Sequence, residues 1–182
     1  MTLLHFFIRM LARLMAILGG LTLCAVIAAV CISVAGREVA DAAHAGYLGS
    51  AGRWLLDHGL GPILGDFELV EAGVAFAIFA FLPMTQLSGG HAQVDIFTTR
   101  LSPTTQRRID AFWSIAMLCA TLLITWRLFE ALQDKYRYGD TTYLIQLPVW
   151  WSYAACFGAS VVACIVGFYC AIMKTWGQDQ SW

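Results

Sequence analysis

GDFELVEAGVAFAIFAFLPMTQLSGGHAQVDIFTTRL, residues Gly65–Leu101, is the stretch that decides the fold. An apolar helix enters behind two carboxylates, Glu68 and Glu71, and carries Pro83 late in its course. It leaves through a short polar passage that contains His91 and Asp95. The apolar part is too continuous for a soluble core helix, and lipid makes carboxylates costly, so something must pair with them.

The rest of the chain agrees. Hydrophobic residues make up 59% of 182 and charged residues only 13%, against roughly 25% charged in a soluble domain. Mean hydropathy is +0.69. A hydrocarbon core of about 30 Å takes roughly 20 apolar helical residues. Leu14–Ala35 and Leu147–Met173 contain no charge. Ala72–Leu87 and Ala111–Trp126 are charge-free but span only about 24 Å each, so they draw Glu68, Glu71 and Arg127 to their ends. The expected fold is an all-α integral membrane protein: one domain over 1–182, with four transmembrane helices near 14–35, 67–87, 110–131 and 147–173. In the first loop, AGRWLLDHGLGPIL mixes apolar and charged residues, which suits a short interfacial amphipathic helix.

The first apolar run exceeds the usual signal-peptide core, so it reads as a retained span. Placing both termini in the cytoplasm puts Arg9, Arg13, Arg100, Arg107, Arg108 and Lys174 inside. Arg37, Arg53, Lys135 and Arg137 then lie outside. That bias follows the positive-inside rule, and Trp113, Trp150, Trp151 and Trp176 take interfacial positions. Pro148 suits the first turn of the last helix.

Chemistry is sparse. A net charge of −1 gives no electrostatic case for nucleic acid. His5, His44, His58 and His91 all lie away from mid-membrane, where haem would need axial ligands, so no cofactor is expected. The six cysteines form no C-x-x-C pair and read as small apolar residues. His91 and Asp95 more simply shape their loop. Glu71 lies about one turn inside its helix and Arg127 about one turn inside the next, so depth permits a pair between them. These charges would form part of an ion path, make a structural pair, or snorkel to the headgroups at the membrane boundary. Small residues recur every fourth position, at Ala155, Ala159, Ala163, Gly167 and Ala171, and again at Ala12, Ala16, Gly20, Cys24 and Ala28. Such ladders let helix backbones approach closely, either within the chain or against a larger partner. Four spans without a polar midplane suit a packing subunit better than an independent transporter.

Several motifs stand in a telling order. GRE at Gly36–Glu38 follows the first span, and GDFELVEAG at Gly65–Gly73 opens the second. FAFLPMTQLSGGHAQVDIF, Phe79–Phe97, runs into a glycine-histidine-x-x-valine-aspartate passage, and LPVWWSY, Leu147–Tyr153, begins the last span. Together they resemble the Q-type small permease subunit of tripartite ATP-independent periplasmic (TRAP) transporters. Phe67 stands where that family often has tryptophan. The resemblance implies a non-catalytic subunit of the bacterial inner membrane. Its partners would be a large permease and a periplasmic solute-binding protein, and the complex would take up organic acids on a sodium gradient. Glu68 and Glu71 would then serve helix or subunit contacts. A small homodimeric transporter and a membrane anchor of another complex are the competing readings.

Overall fold

The computed structural model describes residues 2–49, 52, 54, 61, 63–88 and 103–175. Four helices dominate them: α1, Thr2–His44; α2, Asp66–Ser88; α3, Pro103–Tyr138; and α4, Trp150–Thr175. Each is long and apolar enough to cross a membrane. The chain is an all-α, four-span membrane protein, as the charge-free runs predict.

Two helices far exceed their apolar cores. At 1.5 Å per residue, α1 is about 64 Å long and α3 about 54 Å, where a bilayer needs about 30 Å. The expected first loop is therefore shorter than its sequence suggested, because Gly36, Arg37 and Glu38 are turns of α1. The run VADAAHA after them is rich in alanine, the best helix former, and nothing stops it before Gly46. There φ is +80°, and Tyr47 N donates to Ala42 O while Gly46 N donates to Ala43 O. These are the two bonds of a Schellman stop. Of the expected surface helix, Gly52 and Trp54 are helical and most of the remainder lies outside the described residues. The fourth helix begins at Trp150, two residues after Pro148, which instead pairs with Thr141 in a bridge.

The helices stand in the order α1–α2–α4–α3, each packing on the next, with α1 also reaching α4. Close approach sets the α1–α2 contact. A Cβ on Gly73 would strike Val26, and one on Gly19 would lie 3.0 Å from the Ala80 Cβ. Where α2 ends, Ile8 and Ala12 of α1 meet Leu87 of α2 and Val166 and Cys170 of α4 in a small core. His5 joins the same end: Arg9 Nη2 donates to its Nε2 at 2.9 Å, leaving Nδ1–H to donate to Tyr169 at 2.7 Å.

Heights along the row follow from these contacts. Gly73 is level with Val26, Gln86 with Thr121 and with Gly167. From those levels the centres of the charge-free runs descend along the row. The centre in α1 lies highest, those in α2 and α4 are intermediate, and that in α3 lies lowest. The drop from α1 to α3 totals roughly 20 Å.

Candidate subunit-contact site

Polar side chains gather at the end where α2 begins. Gly65 turns the chain into the helix with φ +84°, and a Cβ there would strike Ile145. Glycine is thus required twice over, for backbone and for space. Its carbonyl accepts the first helical bonds, from Glu68 N and Leu69 N. Asp66 follows, buried at 9% exposure. Its Oδ2 accepts from Ser33 Oγ at 2.8 Å and lies 4.0 Å from Arg37 Nη2, while Oδ1 accepts from Phe67 N at 2.9 Å. Ser33 Oγ also accepts from Ile63 N at 3.2 Å. One aspartate thereby fastens the start of α2 to the far part of α1.

Glu68 reaches the other way. Its Oε1 accepts from Leu144 N at 2.6 Å and its Oε2 from Ile145 N at 3.0 Å. Those amides belong to the hairpin between α3 and α4. Gly139, φ +65°, ends α3 with its N–H on Lys135 O, an αL stop. The hairpin then pairs Thr142 N with Leu147 O at 2.9 Å and Val149 N with Asp140 O at 3.0 Å. Lys135 Nζ holds Asp140 at 2.8 Å across its base. Gln146 takes φ +56° near its tip, leaving tip amides free to face the carboxylate. Charge-assisted bonds of this kind are the stronger class.

Glu71 is exposed, and no ion pair or hydrogen bond joins it to any described residue. The expected Glu71–Arg127 pair does not form. The sequence suggested equal depth, but with Gln86 level with Thr121, Glu71 lies about 13 Å above Arg127. In addition, α4 stands between α2 and α3, and Arg127 Nη1 instead pairs with Glu130 Oε2 at 2.9 Å on its own helix. Trp126 Nε1 donates to the other oxygen of Glu130, also at 2.9 Å. His91 and Asp95 lie outside the described residues.

The ladder on α4 faces inward: Ala159, Ala163, Gly167 and Ala171 are buried, while Ala155 is exposed. On α1 only Ala12 of the spaced set is buried, and Cys24 and Ala28 are exposed. Gly20, on that ladder, has open space around it, whereas its neighbour Gly19 carries the close approach.

Gln86 is the residue that sequence reading missed. It is 7% exposed, donates from Nε2 to Thr121 Oγ1 at 3.3 Å, and leaves Oε1 without a partner among the described residues. Gly167 makes room for it, since a Cβ there would lie 2.9 Å from Oε1. A glutamine inside an apolar run was the available signal. Among the described residues no cluster of His, Cys, Asp or Glu gathers where a metal could sit.

No curated protein and no solved structure matches the chain. Residues 26–177 match a family model described as "Tripartite ATP-independent periplasmic transporters, DctQ component". The match takes in all of α2, α3 and α4, the hairpin that Glu68 holds, and α1 from Val26 onward. Four apolar helices in this arrangement, with that match across most of their length, place the chain in the DctQ family, the small component of TRAP transporters.

Proposed function

We propose that the chain braces the large permease of a TRAP transporter that takes up organic acids such as dicarboxylates on a sodium gradient. The complex sits in the bacterial inner membrane, with both termini of this chain in the cytoplasm. A periplasmic solute-binding protein delivers the substrate, and this chain neither selects nor moves it. One observation carries the reading. Two of the three acidic residues that open α2, Asp66 and Glu68, are engaged in holding the chain's own helices and hairpin. Carboxylates committed to structure are poorly placed to load and release an ion at each cycle.

The test is coexpression of this chain with a large TRAP permease and a solute-binding protein, followed by uptake in proteoliposomes. Omitting the chain should abolish uptake. Glu68→Gln should lower the amount of assembled complex while leaving the ranking of substrates unchanged. Uptake by this chain alone, or its recovery only as a homodimer, would overturn the proposal.

A further inference from the structure

One face of α2 is left uncovered by the other three helices. Its residues Phe67, Glu71, Val74 and Ile78 fall at i, i+4, i+7 and i+11, and all four are exposed, Phe67 at 77% and Ile78 at 58%. Gly73, Ala77 and Ala80 face α1, and Gln86 faces α3 and α4. Because α1 and α4 flank α2, the open face is a narrow seam. Its spacing is the seven-residue repeat by which two helices pack side by side.

Three residues of the seam suit lipid and the fourth does not. Glu71 lies about 7 Å along the axis from Asp66, where the helix begins. A carboxylate at the boundary of an apolar face is costly unless a cation meets it. Among the described residues none is paired with it. Arg37 lies against Asp66, Lys135 holds Asp140, and Arg127 holds Glu130. A second copy of the chain, docked by the same seam across a two-fold axis, would bring another Glu71 to the first. A cation carried by a different partner chain would meet that carboxylate.

We infer that this seam receives one helix of the large permease, and that a lysine or arginine of that helix meets Glu71. The inference rests on the bracing role proposed above and adds where the brace attaches. No hydrogen bond or ion pair among the described residues uses Glu71, which leaves its charge to serve recognition.

The test uses the assembled transporter with a photo-crosslinking amino acid at Ile78 or Phe67. Irradiation should join this chain to the permease and identify the facing helix. Glu71→Lys should reduce the permease recovered with the chain roughly tenfold, the scale of an interhelical polar contact in a membrane. The thermal midpoint of the chain alone in detergent should not move. Reversing the charge of the facing basic residue should then restore recovery. Adducts only with lipid or a second copy, or full recovery with Glu71→Lys, would overturn the inference while leaving the bracing role standing. If the unmodified chain brings down no permease, both fall together.

Discussion

Glu68 holds two amides that lie more than seventy residues further along the chain, and Gly65 makes room for the side chain beside them. Replacing Glu68 with alanine should speed hydrogen exchange at Leu144 and Ile145 while leaving the amides of α1 unchanged, read by exchange mass spectrometry. Gly65→Ala should be worse for the fold. The left-handed backbone alone costs a residue with a Cβ about 1–2 kcal/mol, and Ile145 stands in the way besides. Pairing it with Ile145→Ala should return only part of the lost thermal midpoint, because the second change relieves space and not φ. Little of this was legible beforehand. The sequence marks Glu68 as a charge at a helix mouth, but backbone amides leave no signature in side-chain identity. Arg127 is the opposite case: its partner Glu130 sits three residues away in plain sequence, one helical turn along α3.

Between elements, backbone closeness decides which small residues matter. Gly73→Ala should separate α1 from α2 and lower stability by about 1–3 kcal/mol, the usual cost of overpacking. Gly20→Ala should be near neutral, since its side faces open space, whereas Gly19→Ala meets the Ala80 Cβ. Thermal unfolding in one detergent compares all three. The Gln86 site offers a further test. Gly167→Ala should destabilise the wild type yet be tolerated beside Gln86→Ala, which removes the amide that occupies the notch. Gln86→Leu alone should cost little or even stabilise, because it removes a buried unpaired oxygen, and Thr121 keeps its own bond to Met117 O. The four helices were readable from charge-free runs, since lipid demands those runs whatever the packing. Which glycine of an adjacent pair faces a neighbour was not, because that depends on a rotation about the helix axis that weak amphipathicity leaves open. The ends of α1 were also hidden, for a helix that continues into water needs good helix formers and not apolar ones.

At the scale of the molecule, neighbour order matters more than helix count. The row α1–α2–α4–α3 places α2 and α4 inside and leaves α1 and α3 at its edges. Two hydrogen-bonded fasteners serve that row at one end: Asp66 ties α2 back to α1, and Glu68 ties it forward to the hairpin of α3 and α4. Because they act at separate joints, losing both should weaken the fold additively, as expected for sites without a shared partner. Comparing thermal midpoints of Asp66→Asn, Glu68→Gln and the double variant would show it. Synergy between them would mean that the two halves of the row settle as one unit. The family resemblance was visible from motif order alone: GDFELVEAG and LPVWWSY open α2 and α4, whereas GRE lies within α1.

The descending heights of the charge-free runs carry a consequence for the bilayer itself. Neighbouring helices lie about 8–10 Å apart, so a drop of roughly 20 Å along a row of four cannot be levelled while the helices stand upright. A flat membrane can hold every apolar run at once only if the whole row leans, well past the roughly 20° average for membrane helices. The long ends of α1 and α3 then emerge on opposite sides as sloping struts. Polarised infrared dichroism of oriented bilayers should report that lean, and an upright average would mean that lipid, not protein, bends to absorb the mismatch.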